Sequence, residues 1–399
     1  MSHPVFSAMR VSNASFAYFG LFLSKQMARL GHLGALYTNL PASRLGDVPP
    51  SAYRSQPLLS APMALRKLGF PKVADRLNLP TVQLFDRWVS RSLDACDVFH
   101  CFSSFGLESF RTARERFGAL TVVERGSSHI RFQDQIVREE YARWGVPHRG
   151  IDPRYIEREE AEYALCDRIT VQSTFAERTF LARGVPQSKL IKLPLGVDVG
   201  MFRPDPKLDG VFRVLYAGSC SFRKGVPYLL EAVRGLELPN FELAINGSVE
   251  PGMRELMARH AGDYRFLGFQ PLDQLYKVYS QASVLVLPTL EDGFAKVVTE
   301  AMACGVPVIA TDHCGAMDVL TDGVEGFIVP VRDPAAIREK ILFLYENPEV
   351  QRAMATAALA RARSLAGWDR YGDLAAAAYA RALAEHRGQA RPSNAISSS

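Results

Sequence analysis

Residues 291–315 read EDGFAKVVTEAMACGVPVIATDHCG, and the apolar run SVLVLP at 283–288 precedes them. SVLVLP and the later VPVIAT are short and continuously apolar, which is typical of strands buried on both faces of a parallel sheet. Between the two runs, the sequence predicts a tight turn at DGF and a helix from near Ala295 to Cys304. A strand, a helix and a second strand in this order form one β-α-β unit, which indicates an α/β fold.

The same alternation of apolar runs with helix-period segments extends along nearly the whole chain. It pauses at 197–210, VDVGMFRPDPKLDG, where prolines, glycines and aspartates predict a linker. We therefore predict two doubly wound, Rossmann-like α/β domains, 1–205 and 206–366, facing a central cleft. A helix at 367–388 is expected to cross back to the first domain, and 389–399 to form a disordered tail.

Size and composition fit this organisation. A chain of 399 residues with 48% apolar and 22% charged residues is expected to form two globular domains. No apolar run reaches the roughly 18 residues of a membrane-spanning helix. We interpret ASFAYFGLFL, residues 14–23, as a buried first helix and not as a signal peptide. The six cysteines show neither a metal-ligand spacing nor a secreted-domain framework, which indicates reduced thiols in a cytoplasmic enzyme.

The first 100 residues are basic, with 11 Lys and Arg against 5 Asp and Glu. Six of these cations stand among leucines, phenylalanine and tryptophan: Arg66, Lys67, Lys72, Arg76, Arg87 and Arg91. A basic, partly amphipathic surface fits peripheral contact with an anionic membrane, at its inner face, or with an anionic acceptor. A solvated helical face is the alternative interpretation. No nucleic-acid partner is expected.

The turn after SVLVLP lies where ligands bind in such sheets, at the carboxyl ends of the strands. The start of a helix offers free N–H groups and a partial positive charge, here the amides of roughly 295–298, which together hold phosphate oxygens. Asp292 stands before the helix, and Glu300 lies one turn inside it on the face of Lys296. This arrangement would suit a diphosphate between a sugar at Asp292 and a ribose at Glu300. An acidic helix start with a Lys296–Glu300 surface pair would explain the residue types equally well.

A second segment predicts cations at the same edge. In LYAGSCSFRKGVPYLLEA, residues 215–232, the strand ends at Gly218, and Arg223 and Lys224 open the next helix. Two cations at this place can neutralise a departing diphosphate. An exposed Arg-Lys pair is common and by itself indicates little. Its combination with the acidic pair Asp292 and Glu300 at the same sheet edge is what indicates a diphosphate site.

These residues resemble the retaining glycosyltransferases of the GT-B architecture, specifically glycosyltransferase family 4. The resemblance rests on the acid-x7-acid motif, present as DGFAKVVTE, and on AMACGVPVIAT, AGSCSFRKG, FLGF and DGVEGFIVP, and it extends from about 155 to 375. Asp292 stands where the family usually has glutamate, and Glu291, one position earlier, is the alternative first acid. Ser219 stands where many members have arginine.

The resemblance implies that the second domain, 206–366, binds the nucleotide-sugar and that the first domain, 1–205, binds the acceptor. Glu300 would bind the ribose and Asp292 the transferred sugar. Arg223 and Lys224 would bind the diphosphate, together with the backbone of the turn. The residues assigned in this way to the donor are Gly218, Ser219, Arg223, Lys224, Gly268, Phe269, Pro288, Asp292, Gly293, Phe294, Ala295, Lys296, Val297 and Glu300. Gly268 and Phe269 would hold the base, in a pocket that Pro288 shapes.

The first domain matches the family loosely, and the glycine-rich loop after its first strand is absent. VVERGSSHI, residues 122–130, follows a strand and predicts Glu124, Arg125, Ser127, Ser128 and His129 at the cleft. Family members often use a histidine near this point to touch the donor sugar. This makes His129 a candidate catalytic residue beside Asp292, Lys224 and Arg223. A structural hydrogen bond is its alternative role. Glu157 and Glu162 are expected to be surface charges.

The resemblance implies a hexosyltransferase that moves a sugar from a nucleotide-diphosphate donor to an acceptor hydroxyl and keeps the anomeric configuration. The acceptor would be a saccharide or a lipid-linked saccharide, in cell-surface glycan synthesis. No metal or other cofactor is expected, because cations and a helix end already face the diphosphate. A nucleotide-sugar-binding protein without turnover is the alternative. The glycine motifs of dinucleotide oxidoreductases and of P-loop NTPases are absent.

Overall fold

The computed structural model describes residues 9–16, 20–365 and 367–389. In the first half, seven parallel strands form one sheet in the order β3-β2-β1-β4-β5-β6-β7. The strands are β1 (Val11–Ser15), β2 (Leu33–Thr38), β3 (Tyr53–Ser55), β4 (Val98–Phe102), β5 (Leu120–Arg125), β6 (Arg168–Val171) and β7 (Leu190–Lys192). The helices around them are α1 (Leu21–Arg29), α2 (Ala61–Lys67), α3 (Pro71–Ser92), α4 (Leu107–Phe117), α5 (Ile130–Arg143), α6 (Pro153–Leu165) and α7 (Thr174–Leu181).

A second parallel sheet has six strands in the order β10-β9-β8-β11-β12-β13. The strands are β8 (Phe212–Ala217), β9 (Phe241–Asn246), β10 (Arg265–Gly268), β11 (Val284–Leu287), β12 (Val308–Thr311) and β13 (Gly326–Val329). Its helices are α8 (Val226–Val233), α9 (Arg254–Arg259), α10 (Leu275–Ser280), α11 (Lys296–Ala303), α12 (Ala316–Val319), α13 (Pro334–Glu346) and α14 (Pro348–Ser364). The prediction of two doubly wound α/β domains is therefore confirmed.

The opening stretch folds as the β-α-β unit that its pattern predicts. SVLVLP contains β11, VPVIAT contains β12, and both strands are buried along their whole length. The helix between them, α11, begins at Lys296, one residue later than predicted, and Ala295 precedes it with a left-handed φ of 64°. A non-glycine residue in this conformation is strained, and such strain often occurs at functional sites.

The prediction that 14–23 forms one helix is wrong. Ala14 and Ser15 end the central strand β1, and α1 begins only at Leu21, while 17–19 lie outside the described residues. The strand is hard to recognise because it contains buried polar residues. The side chain of Asn13 donates to the carbonyl of Gly20 (2.8 Å) and contacts Ser24 Oγ (2.7 Å), which satisfies its amide without solvent.

Two helices connect the halves of the chain. Helix α15 (Trp368–Gln389) returns to the first domain, where Tyr379 packs in one buried cluster with Val11 and Met27. Helix α5 belongs to the first sheet by sequence, yet its residues Ile136 and Tyr141 are buried in the core of the second. The predicted tail lies outside the described residues except for its first residue. Among the helices of the described residues, none combines the length and the hydropathy that a bilayer-spanning segment requires.

Candidate functional site

A cavity of about 710 Å³ lies between the two sheets, at the carboxyl ends of their strands. Its first-domain wall contains Phe102, Glu124, Arg125, Gly126, Ser127, Gln133 and Gln172. Its second-domain wall contains Ala217, Gly218, Arg223, Lys224, Leu287, Asp292, Phe294, Ala295, Lys296, Val297 and Glu300. Phe22, Leu195, Trp368 and Tyr371 close one side. Polar groups from both domains therefore converge on a volume that suits a small-molecule ligand.

The turn before α11 is built around Asp292. One oxygen of its carboxylate, Oδ1, accepts from the amide of Ala295 at 3.1 Å, and its own amide donates to the carbonyl of His313 at 3.1 Å. The other oxygen, Oδ2, forms an ion pair with Lys224 Nζ. By helix geometry, the amides of Lys296 and Val297 have no acceptor within α11. A cation, a carboxylate and a helix start thus face the same part of the cavity.

Glu300 lies one helical turn into α11 and faces the same cavity. Its Oε2 accepts from the hydroxyl of Tyr279 at 2.9 Å, and burial raises the pKa of its carboxyl. Among the described residues, no ion pair joins Lys296 to Glu300, so the surface-pair explanation does not describe this helix.

Glu291 is fully buried and connects the two domains. Its Oε1 accepts from the Ser127 hydroxyl and, at 2.9 and 2.7 Å, from the amide and hydroxyl of Ser128. Its Oε2 accepts from Gln133 Nε2 (3.1 Å) and Arg223 Nη1 (3.2 Å). Burial alone would raise the pKa of this carboxyl, but the guanidinium and the two serines lower it to about 2. The geometry therefore places Asp292 on the cavity wall and Glu291 behind it.

The two domains touch at Gly293. A β-carbon at this position would lie 2.3 Å from the carbonyl oxygen of Gly126, which is closer than such atoms can approach. Only glycine permits this approach of the DGF turn to the first domain. The requirement explains Gly293, which does not itself line the cavity.

Six other residues predicted at the site or the cleft also lie off the cavity wall: Ser128, His129, Ser219, Gly268, Phe269 and Pro288. His129 is 4% exposed and packs its ring against Tyr163 (5.2 Å) and Phe180 (5.0 Å). Its side chain accepts from the amide of Arg131 at the start of α5, and burial lowers its pKa to about 4. His129 thus has the structural hydrogen bond considered as its alternative role. Phe269 is 82% exposed and directly follows the carboxyl end of β10.

The expectation that Glu162 is a surface charge is wrong. Glu162 is fully buried, and its carboxylate accepts from the amides of Ser104 (2.6 Å) and Gly106 (2.8 Å) in the loop after β4. Arg158, one turn earlier on α6, lies 3.7 Å from the same carboxylate. Burial raises the pKa of this carboxyl to about 8, and its two hydrogen bonds hold the loop that begins α4. Glu157 is exposed, as expected.

Several cavity residues were missed by the sequence analysis: Phe22, Phe102, Gln133, Gln172, Leu195, Trp368 and Tyr371. Gln172 directly follows β6, so its position at a strand's carboxyl end could have identified it. Trp368 stacks on Phe22 at 4.0 Å, and these residues come from the two ends of the chain. No local pattern predicts such a pair.

Comparison with known proteins finds similarity to glycosyltransferases, in sequence for the second half of the chain and in fold for nearly all of it. Residues 201–361 match the family model described as glycosyl transferases group 1. The uncharacterized glycosyltransferase MJ1178 of Methanocaldococcus jannaschii is 30% identical over 141 residues, which span 35% of this chain and 40% of that protein. A D-inositol 3-phosphate glycosyltransferase of Streptomyces griseus is 34% identical over 52% of this chain and 42% of its own length. The chain thus matches less than half of each of these two relatives.

Two solved structures share the whole fold. Sucrose-phosphate synthase of Thermosynechococcus elongatus superposes with a TM-score of 0.68 at 20% identity, over 94% of this chain and 100% of that one. Alr3699/HepE of Anabaena, solved with UDP-glucose, superposes with a TM-score of 0.64 at 14% identity, over 96% and 100%. The chain thus shares the two-domain fold of these structures, and its residues 201–361 match the model of the group 1 glycosyltransferases.

Proposed function

We propose that the chain transfers a sugar from a nucleotide-diphosphate donor to an acceptor hydroxyl and retains the anomeric configuration. The observation that carries the proposal is the second-domain wall of the cavity. There, Lys224 is paired with Asp292 at the start of α11, and Glu300 lies one turn further along the same helix. A diphosphate on the helix start would place one polyol near each carboxylate.

The cations would act on the leaving group. A bound diphosphate competes with Asp292 for Lys224, and Arg223 lies beside it with only part of its guanidinium used by Glu291. As the bond from the sugar to the phosphate breaks, charge grows on the diphosphate, and both cations stabilise that charge. The departing phosphate oxygen takes the proton of the acceptor hydroxyl on the same face of the sugar. No protein nucleophile is needed.

The acceptor would enter from the first domain. Glu124, Arg125 and Gln172 supply hydrogen-bonding groups on that wall, and the stacked Phe22 and Trp368 supply an apolar surface beside them. This combination suits a saccharide, free or lipid-linked, in cell-surface glycan synthesis on the cytoplasmic side of a membrane. UDP-glucose is the first donor to test, because HepE was solved with it.

A thermal-shift panel of nucleotide-sugars tests donor binding, since a ligand at 100 times its Kd stabilises the folded protein by about 2.7 kcal/mol. A donor that stabilises the wild type should also be hydrolysed slowly, and the anomer of the released sugar reports retention. Stabilisation without any hydrolysis or transfer would instead favour the non-catalytic binder. If no nucleotide-sugar stabilises the protein, both the transferase proposal and the non-catalytic alternative are overturned.

We also propose that transfer needs no metal. Lys224, Arg223 and the start of α11 already supply positive charge where the diphosphate would lie. Activity should therefore survive dialysis against EDTA. A loss that Mg²⁺ or Mn²⁺ restores would refute this part of the proposal.

A further inference from the structure

The hairpin of α2 and α3 exposes a series of large apolar side chains. Leu58 is 86% exposed, Leu68 is 71% exposed and Phe70 is 56% exposed. Val73, Leu77 and Leu84 on α3 are between 40% and 52% exposed. Monomeric soluble proteins rarely expose so many large apolar side chains together, and such patches mark interaction sites. We call this surface, residues 58–84, the α2–α3 face.

The exposed side chains form one stripe and are not scattered. Phe70, Val73, Leu77 and Leu84 follow one another at intervals of three, four and seven residues, which places them on one side of the helix. The side chains that α3 buries, Ala74, Leu79, Val82, Phe85 and Val89, lie on the other side. Helix α3 is therefore apolar on two sides, and only one of them packs against its own domain.

The stripe projects beyond the sheet on the side of the cavity. Asp86 accepts from the amides of Glu108 (2.8 Å) and Ser109 (2.9 Å), in the first turn of α4, which follows the carboxyl end of β4. Asp86 is thus level with the sheet edge that faces the cleft. The part of α3 before it, 71–85, extends for about 22 Å at 1.5 Å per residue. The tip of the hairpin, near Leu68 and Phe70, lies at the far end of this extension.

Cations border the stripe. Lys67, Lys72 and Arg76 are exposed, and none of them has an ion-pair partner in the part of the chain that the structure describes. Arg66 is paired with Asp75 and Arg87 with Glu108. A second copy of this chain would bring like charges together at this face. Anionic headgroups complement it, at about 1 kcal/mol for each cation near the surface.

We propose that the α2–α3 face docks on an anionic lipid bilayer, with its apolar stripe in the acyl boundary and its cations among the headgroups. Apolar side chains on one side of a helix with cations beside them form an interfacial membrane helix. The proposal is independent of sugar transfer. If both hold, the mouth of the cavity faces the lipid surface from which a lipid-linked acceptor would come.

Vesicle co-sedimentation of the full chain tests the docking. The wild type should bind phosphatidylcholine vesicles that contain phosphatidylglycerol, bind pure phosphatidylcholine vesicles much less, and lose affinity as salt rises. Leu68→Ser with Phe70→Ser should weaken binding at least about tenfold, because two exposed apolar anchors are lost. The matched control is Leu208→Ser with Leu272→Ser, 85% and 55% exposed in the second half, which should bind as the wild type does.

Charge is tested separately with Lys67→Gln and Lys72→Gln, each expected to reduce affinity for the anionic vesicles by about fivefold. Arg254→Gln and Arg259→Gln, exposed on α9, are the controls and should have no effect. A wild type that ignores anionic vesicles, or serine variants that bind them normally, would overturn the proposal. A wild-type dimer in sedimentation velocity that these serines dissociate, with vesicle binding unchanged, would assign the face to a second copy instead.

Discussion

Replacing Glu291 by glutamine should destabilise the protein by breaking the contact between its domains. Its carboxylate is fully buried and accepts hydrogen bonds from Ser127, Ser128 and Gln133 of the first domain while it pairs with Arg223 of the second. Glutamine keeps the size of the side chain but removes the charge. Arg223 then loses a buried partner, and one end of the amide presents N–H groups to groups that donate.

The size of the effect follows from the pKa of Glu291, which falls from 4.5 to about 2 in the folded protein. At 1.36 kcal/mol per pKa unit, this difference corresponds to about 3 kcal/mol of stability. Because the folded pKa is the lower one, the stabilisation is complete above pH 4.5 and is lost as the pH falls toward 2. At pH 3.5, about 2 kcal/mol should remain.

Urea unfolding of the wild type and Glu291→Gln at pH 7 and pH 3.5 measures both values. The difference between the two proteins should be about 3 kcal/mol at pH 7 and should shrink at the lower pH. Amides at 127–133 should exchange faster in the variant, because these residues lose their second-domain partner. Glu115→Gln, an exposed residue on α4, is the control and should change stability by less than about 0.5 kcal/mol. Equal stability of Glu291→Gln and wild type at pH 7, or a difference independent of pH, would refute the reasoning.

Three further predictions concern single positions. Lys224→Ala should reduce turnover at least about a hundredfold in single-turnover kinetics, because it removes a cation from the developing charge; normal turnover would contradict its assignment. Gly293→Ala should lower the free energy of unfolding in urea by about 1–3 kcal/mol, because the new β-carbon would meet the carbonyl oxygen of Gly126. Gly262→Ala is the control, with open space around it, and should not change stability. Equal effects of the two substitutions would exclude the close approach as the cause. Glu162→Ala should lower the free energy of unfolding by about 2–5 kcal/mol, because the buried amides of Ser104 and Gly106 lose their acceptor, while Glu157→Ala on the same helix should change it little. A small loss at Glu162 in urea unfolding would show that the loop after β4 does not depend on it.

The fold could be predicted because its decisive information is local. Most of the buried parallel strands contain a short apolar run and are followed by a helix of amphipathic period, so β11, α11 and β12 are visible in one stretch of sequence. The strand β1 shows the limit of this reasoning. Its Asn13 is buried and forms hydrogen bonds with Gly20, Ser24 and His100. A hydropathy pattern scores Asn13 as a polar residue and therefore does not predict a buried strand here.

The same distinction applies to the candidate site: residues with a local signal could be predicted from the sequence, and residues whose partners are distant in sequence could not. Arg223, Lys224 and Asp292 could be predicted together, since each lies in the loop after a strand and such loops meet at one sheet edge; Glu300 follows from its place one turn into the helix after Asp292.

Glu291 and Glu162 required the structure, because their partners are 163 and 58 residues away. An acid in a polar segment appears exposed in the sequence until the donors that cover it are located. In both cases those donors include backbone amides of loops at the carboxyl edge of the first sheet. The two buried acids therefore hold loops on the first-domain side of the cleft in place, and Glu291 also ties one of these loops to the turn that carries Asp292.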